Sequence, residues 1–93
     1  MTYAGKESSW DQSTWKYVKQ SNILAWYDTQ VGYKDHVTIA TYKVSNGWYI
    51  IHANQYSYNT TGKAVVEEVI PSFYITRFLP PYVYYWNSIG RGN

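Results

Sequence analysis

Residues 36–55, HVTIATYKVSNGWYIIHANQ, carry the strongest local signal for the fold class. Two runs of mostly β-branched and aromatic residues flank Asn46-Gly47, a dipeptide that favours a two-residue hairpin loop because both positions tolerate positive φ. A type I′ loop at this point also fixes the register of the two strands. It sets Val44 opposite Tyr49, Tyr42 opposite Ile51, and Ala40 opposite Ala53. All three apolar pairs then fall on one face, so turn chemistry and side-chain pattern predict the same hairpin.

Further short strands are predicted on both sides of this hairpin. Alternating patterns or aromatic runs between turn signals mark residues 14–18, 23–28, 73–79 and 82–86. Residues 63–70 fit either a helix or a strand, because their valines have helical spacing but are β-branched. The shortness of that run favours a strand. A second turn is predicted near residues 59–62.

The composition is typical of the all-β class. Five Trp, twelve Tyr and two Phe make 20% of the 93 residues aromatic, whereas Leu occurs only at Leu24 and Leu79. Tyr, Trp, Val, Ile and Thr fit a pleated surface, whereas helical proteins rely more on Leu, Ala, Glu and Lys. We expect a single small antiparallel β-sandwich or barrel of about six to seven short strands in residues 14–86. Residues 1–13 are expected to form a polar arm, and residues 87–93 a polar tail.

Few residues have the spacing that catalysis or metal binding requires. The chain has no cysteine, which excludes disulfides, thiolate zinc sites and a cysteine nucleophile. Glu67 and Glu68 are adjacent, so on a strand they point to opposite faces and cannot form a catalytic carboxylate pair. His36 and His52 lack the spacing of a metal site and are not opposite each other in the predicted register. We therefore expect no enzyme activity, no metal and no cofactor.

The excess of aromatic residues favours a binding function. A Trp or Tyr in a β domain usually packs in the core or across strands, but a core of this size does not easily hide so many rings. Residues 82–86 carry aromatics on both faces of one strand, so some are expected at the surface, where an apolar patch commonly marks a binding site. The candidate ligand-binding residues are Trp15, Trp26, Tyr27, His36, Trp48, Tyr82, Tyr84, Tyr85 and Trp86.

The expected partner is a glycan or another component of a cell surface. Sugar rings stack on Trp and Tyr while neighbouring amide and carboxylate groups bind their hydroxyls. Nucleic acid is disfavoured, because the eight Lys and Arg are scattered along the chain. The net charge of +2 permits attraction to an anionic surface. If residues 82–86 form an edge strand, a homodimer through strand addition is also expected.

The order of several features resembles the lactococcin 972 family of small secreted bacteriocins from Gram-positive bacteria. The matching pieces are Thr14-Trp15, Trp26-Tyr27, His36 with the run after it, Gly47-Trp48 with Ala53, and Tyr84-Tyr85-Trp86. The chain departs from the family pattern at Tyr17-Val18, since members usually have Gly soon after the first Trp. The resemblance implies a leader-cleaved β-sandwich that interferes with cell-wall synthesis in related cells.

These observations predict a secreted, bacteriocin-like antibacterial protein that recognises a bacterial envelope component through exposed aromatics. Two alternatives stay open. One is a non-catalytic carbohydrate-binding or adhesive module, and the other is a phage or host-interaction protein that acts by protein–protein contact. No apolar run has the length of a membrane span. No signal peptide is visible in residues 1–10, so a cytoplasmic location is the alternative to secretion.

Overall fold

The computed structural model describes residues 1–53 and 65–86. These residues form six strands, a 3₁₀ turn at Gln12–Thr14 and one short helix, α1, at Tyr74–Arg77. The strands are β1 (Thr2–Lys6), β2 (Ile23–Asp28), β3 (Tyr33–Val44), β4 (Gly47–Ala53), β5 (Val65–Val69) and β6 (Tyr82–Tyr85).

The strands pair into one antiparallel sheet with the order β1-β6-β2-β3-β4-β5. The predicted all-β class and the small number of short antiparallel strands are confirmed. Within the described residues the layer opposite the sheet is not a second sheet. It consists of the segment between β1 and β2 together with α1, whose apolar side chains join the core. None of the described helices is long and apolar enough to cross a membrane.

The core is centred on Trp26 of β2, which is fully buried. Its ring stacks on Trp10 at 5.6 Å between centroids, and the ring of Tyr74 meets it edge-on at 5.0 Å. Its indole Nε1 donates a hydrogen bond of 3.0 Å to Oγ1 of Thr38, so the polar atom of this buried ring is satisfied. The aromatic residues of the inter-strand segments thus cover the inner face of the sheet.

The central hairpin is present, but the predicted loop position is wrong. Val44 pairs with Gly47, so Ser45 and Asn46 form the two-residue loop. Neither Asn46 nor Gly47 has a positive φ, which excludes the type I′ turn that was expected at Asn46-Gly47.

The predicted register of this hairpin is also wrong, because the pairing shifts at a bulge around Thr41. Tyr42 pairs with Tyr49, but Ala40 pairs with Ile50. Ala40 and Ile50 are fully buried, whereas Tyr42 is 46% exposed. The bulge therefore lets β3 keep Ala40 in the core while it turns Tyr42 to the outer face, which no regular register achieves.

The N-terminal part of the chain differs from the prediction of a polar arm. Thr2–Lys6 forms the edge strand β1 and pairs with β6, and residues 14–18 are not a strand. β1 was missed because its sequence lacks apolar alternation. Its pairing places β6 between β1 and β2, so the edges of residues 82–85 are occupied and strand addition there is excluded.

Three of the remaining strand predictions are confirmed in their described residues, and one is wrong. The strands at 23–28 and 82–85 are present, and residues 63–70 contain β5 in their described part. Residues 73–79 are not a strand but contain α1, whose first turn follows Pro71 and whose backbone is hydrogen-bonded from Tyr74 N–H onward. The predicted turn at 59–62 and the polar tail lie outside the described residues, as do residues 54–55 of the predicted hairpin.

Candidate functional site

A cleft of about 650 Å³ opens where the start of β1 and the end of β6 lie beside the segment that leads into β2. Three tyrosines line it together with two lysines and two amide side chains. The lining residues are Tyr3, Ala4, Lys16, Tyr17, Lys19, Gln20, Asn22 and Tyr85. The mixture of aromatic faces with a few polar groups is what small-molecule and sugar sites usually present.

One wall of the cleft is the ring of Tyr17, which lies directly on the backbone of Gly5. A Cβ at Gly5 would stand 2.5 Å from the Tyr17 ring, and Gly5 also has a φ of +149°. The backbone N–H of Tyr17 donates a 2.8 Å hydrogen bond to the buried carboxylate of Glu7. Glycine at position 5 and glutamate at position 7 therefore fix Tyr17 against β1.

A second wall is the turn at residues 19–22. Asn22 N–H donates to the carbonyl of Lys19, and the Asn22 side-chain oxygen accepts a 2.9 Å hydrogen bond from Lys19 N–H. Within this turn Ser21 has a φ of 69°, a conformation that costs about 1–2 kcal/mol for a residue other than glycine. The turn is thus held by a buried asparagine, and it presents Lys19 and Gln20 to solvent at the cleft.

The remaining aromatic residues come from the two paired strands. Tyr3 of β1 is 52% exposed and Tyr85 of β6 is 41% exposed. The ring of Tyr3 contacts Tyr84 at 5.3 Å, which limits its freedom without covering it. Exposed tyrosines held by neighbouring rings lose little conformational entropy when a ligand binds.

The electrostatics of the cleft favour an anion. Among the described residues, its lining contains Lys16 and Lys19 but no carboxylate. The Nζ of Lys16 lies 5.0 Å from the centroid of the Tyr17 ring, a cation–π contact that holds the ammonium beside the aromatic wall. The arrangement can stack a sugar ring, hydrogen-bond its hydroxyls through Gln20 and bind a negative substituent.

The residues predicted from sequence to bind a ligand divide into a buried and an exposed group. Trp15, Trp26, Trp48 and His36 are buried, which assigns them to the core rather than to an exposed surface. Tyr27, Tyr82 and Tyr84 are half-buried, while Tyr85 and Trp86 are exposed. Of the whole set, Tyr85 lines the cleft. A role in binding stays a prediction for all of them, Tyr85 included.

Sequence reasoning missed most of the cleft. Residues 16–20, KYVKQ, place an aromatic ring between two lysines, and this combination was the available signal. This signal was not recognised because residues 14–18 were interpreted as a strand. The contribution of Tyr3 depends on β1, which carries no strand pattern of its own.

A hydrogen-bond network in the interior was missed as well. Nε2 of His36 lies 3.2 Å from Nδ1 of His52 and 3.0 Å from the hydroxyl of Tyr74. The other nitrogen of His52, Nε2, lies 2.9 Å from Oε2 of Glu68. In the tautomer in which Nε2 of His52 donates to this carboxylate, Nδ1 accepts a hydrogen bond from Tyr74 or His36.

This network links β3, β4, β5 and α1. Burial, followed by the electrostatic interaction with His52 and the positive charge of Arg77, lowers the pKa of His36 to about 4, so its ring is neutral near pH 7. Burial also raises the pKa of Tyr74, whose hydroxyl keeps its proton. The side chain of His52 is fully buried and Tyr74 is not among the residues of the cleft. The geometry gives the network a structural role in joining the strands to α1.

No protein-family model matches the chain, and neither the curated proteins nor the solved structures give a match.

Proposed function

We propose that the protein is a non-catalytic binding protein that recognises a glycan through the cleft between Tyr3, Tyr17 and Tyr85. The observation that carries this proposal is the combination of three tyrosine rings with Lys16, Lys19 and Gln20 around one opening. Tyrosine rings provide flat apolar area at low entropic cost, and the polar groups beside them orient hydroxyls.

The glycan is proposed to carry negative charge. The part of the lining that the structure describes has two lysines and no carboxylate, which creates a positive potential inside the cleft. An anionic polysaccharide of a bacterial cell wall has both the sugar rings and the charge. The resemblance to the lactococcin 972 family supports this source and an antibacterial outcome of binding, with secretion as the expected location.

The binding proposal is tested by a glycan array, followed by titration calorimetry with the best anionic oligosaccharide. Tyr85→Ala and Lys19→Ala should each lower the affinity by about 5–30-fold, since a lost stacking or charge-assisted contact costs about 1–2 kcal/mol. Tyr33→Ala is the matched control, because Tyr33 is 61% exposed and lies outside the cleft. Equal losses in Tyr85→Ala and Tyr33→Ala, or no binding to any glycan, would refute the proposal.

The antibacterial part is tested separately by spotting purified protein on lawns of Gram-positive bacteria. Zones that disappear in the folded Tyr85→Ala variant and persist in Tyr33→Ala would support killing through the cleft. Glycan binding without zones would leave a carbohydrate-binding or adhesive module as the function.

A further inference from the structure

The outer face of the sheet is apolar across several strands and has no layer on it in the described residues. Val37 and Ile39 of β3 are 58% and 42% exposed, and Ile51 of β4 is 36% exposed. The rings of Tyr42 and Tyr49 stack beside them at 4.5 Å between centroids. Large contiguous apolar surfaces of this kind are rare on monomers and commonly mark interfaces.

The register of the sheet aligns these side chains into one row. Ile23 pairs with Ile39, Ile39 with Ile51, and Ile51 with Glu67. Paired residues of neighbouring strands share a face, so the three isoleucines stand side by side, and Glu67 ends the row on the edge strand β5. Ile39 and Ile51 are exposed at the surface of this row, whereas Ile23 is buried. A row of β-branched side chains is a flat surface suited to packing against another sheet.

Charges stand at the two opposite sides of this apolar strip. On the β1–β6 side, Nζ of Lys34 lies 3.9 Å and Nζ of Lys6 lies 4.9 Å from the centroid of the Tyr82 ring. On the β5 side stands the exposed Glu67. Positive charge on one side and negative charge on the other, with aliphatic side chains between, makes the surface complementary to a rotated copy of itself.

We infer that the outer face binds a second copy of this chain in a symmetric, face-to-face dimer. A two-fold axis parallel to the strands places β5 of one copy over the β1–β6 side of the other. Glu67 of each copy then lies on the side where Lys6 and Lys34 of the other copy stand, and Ile39 and Ile51 pack at the centre. The same patch serves both copies, as a two-fold interface requires. The dimer is a β-sandwich made from two chains.

Sedimentation equilibrium from about 1 to about 300 μM tests this inference, because a modest interface of this kind dissociates in that range. We expect a monomer–dimer equilibrium. Ile39→Lys should weaken it by at least tenfold, since it buries a charge at the centre. Ile75→Lys is the matched control: Ile75 is 49% exposed but belongs to α1, away from this face. Thermal melts of both variants establish that each is folded.

A charge exchange tests the orientation. Glu67→Lys should weaken the dimer, and adding Lys6→Glu with Lys34→Glu should restore it. A monomer at all concentrations, or a dimer that Ile39→Lys leaves intact, would overturn the inference. A dimer that Ile39→Lys breaks but that ignores the charge exchange would overturn the proposed axis.

Discussion

At the residue scale, Gly5 is the position on which the cleft depends most. Any side chain there would meet the Tyr17 ring at 2.5 Å, and the φ of +149° is strained for other residues. We expect Gly5→Ala to lower the free energy of unfolding by about 1–3 kcal/mol, through overpacking and backbone strain. It should also weaken glycan binding, because Tyr17 is displaced. Urea denaturation and calorimetry measure the two effects.

Gly47 is a control position for the prediction about Gly5. A Cβ there would also stand 2.5 Å from another atom, but that atom is Oε1 of Gln12, the end of a flexible side chain, and φ at Gly47 is not positive. Gly47→Ala should therefore cost less than about 1 kcal/mol. If Gly47→Ala proves as damaging as Gly5→Ala, the account of Gly5 as a ring-packing position fails.

His36 should make the protein sensitive to mild acid. It is buried among His52, Tyr74 and Arg77, and its pKa of about 4 lies below the unfolded value of 6.5. A lowered histidine pKa contributes stability above pH 6.5 that is lost as the pH falls toward 4, because the unfolded state binds the proton first. This group alone should remove about 2 kcal/mol between pH 7 and pH 5.

Urea denaturation at the two pH values measures the effect of His36. His36→Gln keeps a hydrogen-bonding group beside Tyr74 but cannot gain charge in this range. Its unfolding free energy should therefore fall less than that of the parent protein. Equal pH dependence in both proteins would mean that other groups, such as the carboxylates, control the acid response.

At the scale of elements, one half-buried ion pair fixes α1 to the sheet. Arg77 Nε and Nη2 donate to Oδ2 of Asp28 at 3.0 and 2.8 Å, and Asp28 is 1% exposed. Burial alone would raise the pKa of Asp28, but hydrogen bonds from Arg77 and from the Gln30 backbone outweigh it and lower that pKa. The carboxylate is thus charged near neutral pH and depends on Arg77.

Arg77→Met should lower the free energy of unfolding by about 2–3 kcal/mol, because it leaves Asp28 charged and buried while Arg77 itself is partly exposed. Adding Asp28→Asn should recover part of the loss, since the stranded charge is removed. Chemical denaturation of the single and double variants measures this coupling. A double variant less stable than Arg77→Met would show that Asp28 has another role.

The helix α1 could not be predicted from the sequence. Residues 73–79 alternate in polarity like a strand, yet they contain the helical turn α1. In this turn Arg77 contacts Asp28, which lies far away in the sequence. Residues 23–28 and 82–85 were predictable because their apolar pattern and their tertiary environment agree. The local pattern of residues 73–79 is too short to favour a strand over a helical turn that forms the ion pair between Arg77 and Asp28.

The contact between His36 and His52 likewise could not be predicted from the two strands of the central hairpin. The two strands were predictable from residue type, but the bulge at Thr41 is not encoded by a local motif. That bulge shifts the register so that His36 and His52 become neighbours on the inner face. Both histidines were visible in the sequence, and their contact follows from a register that packing decides.

At the scale of the whole molecule, the fold presents two surfaces of different chemistry that adjoin at Tyr3. The excess of tyrosine predicted exposed aromatics, but their division between a basic cleft and an aliphatic sheet face depends on β1, which pairs the first residues of the chain with the last described strand. Tyr3 reaches the cleft through this pairing. Composition alone could not assign each tyrosine to one surface.

Salt should distinguish these two surfaces. Raising NaCl from about 0.1 to about 1 M shortens the Debye length from about 10 to about 3 Å, which screens exposed charges such as Lys16 and Lys19. Affinity for an anionic glycan should fall at least fivefold. The dimer should weaken less, because its centre at Ile39 and Ile51 is aliphatic and its charges lie at the sides. Calorimetry and sedimentation in the same two buffers make the comparison. A dimer that is the more salt-sensitive of the two would assign its stability to Lys6, Lys34 and Glu67, since burial of isoleucine does not depend on screening.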